Sequence, residues 1–362
     1  MFMIKEGTKP YYPLVSTVSY DDTLYSSSFE HNGGGVPMDL PFQDLAHSIQ
    51  FLGSCNGLIC VMFQTCMVDE LVNVPVIWNP TTREYKILSN SQTKFTNLSS
   101  SIYSFGYDGK NDDYKLLKGE FSRDGSVTLP PTEEEVHVSE VYSLLSDSWR
   151  SIRTNMPYHM LKYIPYDTVS GVLINGLRHW LAGCMILEKE LQQESIISFD
   201  FSEDKFKQMH LPKEFMKNST YCFARTVGVL DECLCVVDGV WEPRYQLEIW
   251  VMQDYGVPES WTKRFIIPQT QARQPFGLNP LRVVWCFRDG KILLLEDKKK
   301  LVLYDTKQDT MTSSSARIHG AENYVESLAS LNSGIYVGSC REYANILSAS
   351  WTKKLRLFNY EV

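Results

Sequence analysis

Val172-Leu173-Ile174-Asn175-Gly176-Leu177-Arg178-His179-Trp180-Leu181 holds the pattern that decides the fold. Two short apolar runs flank an Asn-Gly pair. Asn and Gly both tolerate the positive φ that a two-residue hairpin turn demands, so the stretch reads as strand, tight turn, strand. Downstream, Ile196-Ile197-Ser198-Phe199-Asp200-Phe201-Ser202-Glu203-Asp204-Lys205-Phe206 supplies a third strand with a central aromatic, a polar turn and the start of a fourth strand.

The same order recurs along the chain. Ser54-Cys55-Asn56-Gly57-Leu58-Ile59-Cys60-Val61 precedes Val76-Ile77-Trp78-Asn79-Pro80-Thr81-Thr82-Arg83-Glu84-Tyr85-Lys86-Ile87-Leu88. Val227 to Val236 precedes Leu247-Glu248-Ile249-Trp250-Val251, and Trp285 to Leu295 precedes Leu301 to Thr306. A weaker copy joins Ser104-Phe105-Gly106-Tyr107-Asp108 to the run from Val141 to Trp149. The period is roughly 50 to 60 residues, near that of kelch repeats and above that of helical ones. Trp180 and the third-strand aromatics Trp78, Tyr142, Phe199, Trp250 and Tyr304 have the size to pack between neighbouring sheets.

Helical periodicity is confined to two short candidates, Leu40 to Phe51 and Leu187 to Glu194. The expectation is an all-β, kelch-like β-propeller of about six blades. Tyr11 to Phe29 would pair with the chain near Tyr324 to Leu331, so that N- and C-terminal strands close the ring and hide the sheet edges. A sandwich or an irregular, incomplete propeller is the competing architecture. Residues 1–50 are expected to supply the N-terminal strands, 51–331 the body of the propeller, and 332–362 a C-terminal strand or tail.

Composition narrows the function classes. Lys and Arg total 35 against 43 Asp and Glu, a net charge of −8, which disfavours a nucleic-acid partner. Lys298-Lys299-Lys300 reads as a hairpin turn between strands. No apolar run is long enough to span a membrane, and Met1 to Gly7 has no signal-peptide pattern. The nine cysteines are irregularly spaced inside apolar runs, so reduced, buried thiols in a cytoplasmic protein are expected, with the nucleus as a second compartment.

Catalytic patterns are sparse. The sequence holds no Cys-x-x-Cys, His-x-His or His-Glu-x-x-His pattern for a metal, no Gly-x-Ser-x-Gly elbow and no phosphate loop; no cofactor is expected. His179 alternates with Leu177 and Leu181 on a strand, as a packed or rim histidine would. Asp21-Asp22, Asp112-Asp113 and Glu133-Glu134-Glu135 read as solvated turns and loops. Two loops are rich in the residues that concentrate binding energy at interfaces. One carries Trp241, Arg244 and Tyr245, the other Tyr158 and Tyr163. These five are the candidate partner-binding residues.

The ordered motifs resemble a known family. Phe51 to Cys60 followed by Ile77 to Leu88 is similar to the opening signature of the F-box-associated, kelch-like interaction domain of plant F-box proteins. Phe105-Gly106-Tyr107-Asp108, Asp112-Asp113-Tyr114-Lys115, Val141-Tyr142-Ser143-Leu144, His179-Trp180-Leu181 and Ile197-Ser198-Phe199-Asp200 follow in the family's order. The resemblance implies a protein-binding module that selects targets for ubiquitination by a ligase of the Skp–cullin–F-box type. It also extends to the subset that recognises pollen-rejection ribonucleases in self-incompatibility, and an acidic chain suits such basic targets. A Skp-type adaptor is an expected partner only where an F-box is present in the full-length product, because the first 50 residues do not resemble one. The alternatives are a kelch-like enzyme or sugar-binding propeller, and a truncated product that only binds targets.

Overall fold

The computed structural model describes residues 2–6, 14–18, 36–42, 46, 48–67, 70–91, 99–122, 137–154, 171–183, 194–212, 214, 225–240, 246–268, 281–296, 300–314 and 318–338. Every strand among them belongs to one of six four-stranded antiparallel sheets. They fall into two compact units, one formed by Met1–Gln92 with Ala316–Val362 and the other by Thr93–Ser315.

Unit one holds two sheets. The first orders β24 (Ile318–Asn323), β1 (Phe2–Glu6), β2 (Leu14–Val18) and β3 (Val36–Pro37). Phe2 pairs with Asn323 and Lys5 with Gly320, so strands from opposite ends of the chain share one sheet, as the repeat requires. Both sides of the pair differ from the expectation: the N-terminal strand is Phe2–Glu6, while Leu14–Val18, within Tyr11 to Phe29, pairs with β1 and β3, and the C-terminal partner is Ile318–Asn323, not the stretch from Tyr324 to Leu331, which forms no strand. That stretch is held by side chains from the turn after Trp78, with Val325, Glu326, Leu328 and Ser330 all exposed. The second sheet runs β4 (Ser48–Cys55), β5 (Leu58–Met67), β6 (Glu70–Trp78) and β7 (Tyr85–Ile87). The short helix considered for Leu40 to Phe51 is a turn at Pro41-Phe42 followed by the start of β4. There Ile49 and Phe51 face inward with Gln50 outward, the period of two that a strand requires.

Unit two holds four sheets in chain order: β8 (Ser99–Asp108), β9 (Asp113–Ser122), β10 (His137–Ser143), β11 (Ser148–Thr154); β12 (Val172–Ile174), β13 (Leu177–Gly183), β14 (Glu194–Asp200), β15 (Lys205–His210); β16 (Thr226–Leu230), β17 (Cys233–Val240), β18 (Gln246–Met252), β19 (Trp261–Pro268); and β20 (Leu281–Cys286), β21 (Lys291–Glu296), β22 (Lys300–Asp305), β23 (Thr310–Ser313). Each is a simple meander, the unit that a β-propeller repeats. Pairing of Glu296 with Lys300 makes the Lys-rich run a hairpin, with Lys298 and Lys299 outside the described residues. Leu187 to Gln193 and Asp21-Asp22 also lie outside them.

Alternation along the strands explains the stacking. On β13, Trp180 and Ala182 join Leu117, Val141, Ile197 and Phe199 in one cluster, while Leu181 joins Ile196, Val227, Val236 and Trp250 in another. The sheet β12–β15 is therefore buried on both faces between its neighbours. The next interface unites Cys235, Val237 and Ile249 with Val283, Ile292, Leu294 and Tyr304. All five third-strand aromatics named from the sequence are buried. Each contributes about 2 kcal/mol or more by burial. Cys233 and Cys235 face the same cluster, and the described cysteines (55, 60, 233, 235, 286) are free thiols. Burial pushes Cys286 up to about 12, helped by a hydrogen bond and repulsion from Asp231, so this thiol stays protonated.

Candidate partner-binding surface

In a four-stranded meander the first and third turns lie at one end of the sheet and the second at the other. Neighbouring sheets of unit two meet at that first-and-third-turn end. Lys110, in the β8–β9 turn, pairs with Glu203 in the β14–β15 turn, and Arg150 on β11 pairs with Asp204. His179, at the start of β13, is fully buried, and its Nε2 lies 2.6 Å from the hydroxyl of Tyr255 in the β18–β19 turn.

The turns share one local chemistry. A strand-ending carboxylate accepts the first two free backbone N–H groups: Asp108 from Lys110 (2.9 Å) and Asn111 (3.2 Å), Asp200 from Ser202 (2.9 Å) and Glu203 (3.2 Å), Asp305 from Lys307 (2.9 Å) and Gln308 (3.1 Å). The turn then closes on an Asp at positive φ, 52° at Asp112, 50° at Asp147, 51° at Asp204 and 50° at Asp309. Three of these aspartates also accept from a strand tyrosine five residues earlier, namely Tyr107, Tyr142 and, at 3.1 Å, Tyr304. Burial, reinforced by the bond to Asp309, pushes the Tyr304 phenol up to about 12.

Behind the turns sits a buried ion pair. Lys115 Nζ lies 2.7 Å from Asp108 and also donates to the carbonyl of Phe201 (2.7 Å) and to Asp204 (3.2 Å). Burial alone would raise the Asp108 carboxyl, but Lys115 and the N–H donors at 110 and 111 outweigh it and hold the group far below the usual range. Asp113, read from the sequence as a solvated turn acid, is instead buried. It accepts from Ser143 Oγ (2.5 Å) and from the backbone N–H of Leu145 (2.8 Å), so it supports the neighbouring turn. His179 is structural as expected: burial, with the charge of Arg178, lowers it to about 4 against two backbone carbonyls that raise it. On this framework the side chains of Leu145, Tyr255 and Val257 are exposed.

Unit one presents a different element, an irregular strap over residues 324–338. It is fixed by the turn that follows Trp78. Asn79 Oδ1 accepts from the N–H groups of Thr81 (2.9 Å) and Thr82 (3.4 Å), while its Nδ2 donates to the carbonyls of Ser327 (3.0 Å) and Ala329 (2.7 Å). Glu84, 2% exposed, accepts from Leu331 N (2.8 Å), Ser330 Oγ (2.8 Å), Ser333 N (2.8 Å) and Ser333 Oγ (3.1 Å). Burial raises this carboxyl, and the four bonds more than reverse that, leaving it below its ordinary value. Beyond the clasp, Tyr85 N donates to Ile335 O (3.0 Å) and Val337 N to Arg83 O (3.0 Å), adding the strap to the edge of the β4–β7 sheet. Gly57 (φ +82°) lies beneath, where a Cβ would stand 2.1 Å from Ser327 Cβ. So anchored, the strap holds Val325 (72%) and Leu328 (83%) out to solvent.

The candidate residues chosen from sequence all lie outside the described residues: Trp241, Arg244 and Tyr245 between β17 and β18, Tyr158 and Tyr163 between β11 and β12. Neither connection belongs to the turn end described above. Sequence reasoning missed Asn79, Glu84, Leu145, Val325 and Leu328. One signal was available for the clasp: Trp78-Asn79, Tyr107-Asp108, Phe199-Asp200 and Tyr304-Asp305 repeat an aromatic followed by Asn or Asp at the strand end.

The F-box associated beta propeller domain matches residues 20–345. This chain belongs to that family. Five of the six sheets are meanders of consecutive strands, the repeat from which such a propeller is built, and the all-β propeller expected from the sequence is borne out. An F-box/kelch-repeat protein of Arabidopsis thaliana is 28% identical over 90% of this chain and 82% of its own length. The F-box protein CPR1 of the same plant is 28% identical over 73% of this chain, and a further F-box protein is 28% identical over 74%. The aligned part spans 63% and 66% of those two relatives. The motifs that mark the family here are structural: Asn79 and Glu84 clasp the strap, Asp108 and Lys115 form the buried pair, and Gly106 lies against Phe201, whose ring would be 2.2 Å from an added Cβ.

Proposed function

We propose that this chain recognises protein substrates for a ubiquitin ligase of the Skp–cullin–F-box type and performs no chemistry itself. The family match over residues 20–345, with alignment to plant F-box proteins, is the observation that carries this reading. Four buried side chains support it, because they are engaged within the fold: Lys115 with Asp108, Arg225 with Asp238 (2.7 Å), Glu84 with the strap, His179 with Tyr255. Function then consists of presenting a preorganised surface, where little ordering entropy opposes binding. Ubiquitin transfer belongs to other subunits, and a Skp-type adaptor joins where an F-box accompanies this domain. Trp241, Arg244, Tyr245, Tyr158 and Tyr163 remain the proposed contact residues of the longer connections.

The test is affinity purification of the chain from plant tissue with the proteasome blocked. Protein partners that accumulate under the block, and fall away from a W241A/R244A/Y245A variant of unchanged melting temperature, are the expected result. A stoichiometric metal, or a sugar that raises the melting temperature, with no such partner would overturn the reading in favour of an enzyme or sugar-binding propeller.

A further inference from the structure

The first-and-third-turn end of unit two concentrates charge. Its eight turns (109–112, 144–147, 175–176, 201–204, 231–232, 253–260, 287–290 and 306–309) hold ten Asp or Glu residues against three Lys or Arg, in a chain whose net charge is −8. Strand residues reach back to neutralise part of this: Lys115 and Arg150 to Asp204, Arg264 to Asp231 and Lys291 to Asp289. Asp112, Glu232, Asp254, Glu259 and Asp309 keep no cationic partner among the described residues. Carboxylates without cations on a shared surface repel one another, and they persist at a modest cost in stability.

The same turns expose apolar side chains in fixed positions. Leu145 is 77% exposed, yet its backbone N–H is tied to buried Asp113 at 2.8 Å. Tyr255 is held through its hydroxyl by His179, and Val257 through its N–H to the carbonyl of Asp254 (3.0 Å) and its own carbonyl to Ser260 Oγ (2.7 Å). A surface that holds large apolar groups out in water on an ordered backbone has the character of an interaction site. The charge around it says what covers it.

We propose that this end of unit two docks a basic protein surface, with Lys or Arg side chains meeting the unpaired carboxylates and an apolar group seated against Leu145 or against Tyr255 and Val257. The inference rests on the protein-recognition reading and concerns other residues than Trp241 and Tyr158. Charge of this kind acts mainly on encounter rate and partner choice, while the apolar contacts hold the complex.

A photo-cross-linking amino acid placed at Leu145, at Val257 or at Tyr245, with exposed Gln208 on strand β15 as control, tests the proposal in the full chain incubated with plant extract. Adducts at 145 and 257 are expected with proteins richer in Lys and Arg than in Asp and Glu. Their yield should fall about tenfold between about 50 mM and about 500 mM salt. A similar fall is expected in the variant carrying Glu232→Lys, Asp254→Lys and Glu259→Lys, whose exposed sites leave folding intact. Yields equal to those at Gln208, or insensitive to both salt and charge reversal, would overturn the proposal. Adducts at Tyr245 alone would sink this face and leave the recognition function standing; no adducts at any position would count against both.

Discussion

The turn at 109–112 and the strap at 324–338 both carry irregular backbone, and they find hydrogen-bond partners at very different range. In the turn, Asp108 serves N–H groups two and three residues on, and Tyr107 reaches Asp112 five residues on. In the strap, the acceptor for Leu331 and Ser333 is Glu84, 247 and 249 positions away. A local lock forms whenever its own hairpin forms, so damage to it stays local. A remote clasp exists only once both segments are in place, and two buried side chains, Asn79 and Glu84, then govern a whole surface. Any binding role of Val325 and Leu328 is thereby linked to Asn79 and Glu84, both buried.

That contrast can be broken at several points. Glu84→Gln should have the largest effect, about 4 kcal/mol, since an amide keeps one acceptor oxygen and sets an NH2 against backbone donors. A lower melting temperature should accompany loss of hydrogen-exchange protection at Leu331 and Ser333; retained protection there would mean the strap is held otherwise. Next in size is the pH response of His179. Unfolded, the imidazole titrates near 6.5, and folded near 4, so the unfolded chain takes up the proton first. Stability is full above pH 6.5 and declines as pH falls to 4, by about 3 kcal/mol from this group. The slope of melting temperature against pH in that window should flatten in His179→Gln. Gly57→Ala should cost about 2 kcal/mol, through positive φ and the clash with Ser327, and Ser327→Gly should recover part of it in a double-mutant cycle. Smallest is Tyr304→Phe, about 1 kcal/mol, with faster exchange confined to the turn at 306–309. Spread of that effect to distant blades would erase the distinction between lock and clasp.

The sequence made the blades legible because their signals are local. Asn175-Gly176 takes positive φ at both residues (51° and 75°), and strand alternation assigns Trp180 and Leu181 to opposite interfaces. Family likeness was legible for a related reason, since Asn79, Asp108 and Lys115 are held in place by backbone needs common to the fold. The strap was not legible. Val325 and Leu328 look like core residues on any apolar scale, and the distant partners Asn79 and Glu84 turn their segment outward. Asp113 misled in the opposite direction, because an acid pair beside a turn gives no sign that the neighbouring hairpin needs an acceptor. The acidic turn end escaped notice since its charges are spread over seven turns that only the stacking of blades gathers together.

The pairing of β1 with β24 sets a timetable for the chain as it is made. Phe2 emerges from the ribosome long before its partner Asn323. At synthesis rates of about 5 to 20 residues per second, the first strand waits roughly 15 to 60 s for the last. During that interval one edge of the strand is open to any passing strand of another chain, and the blades of unit two have time to assemble. Completion of the first sheet therefore waits until every strand of unit two has been made.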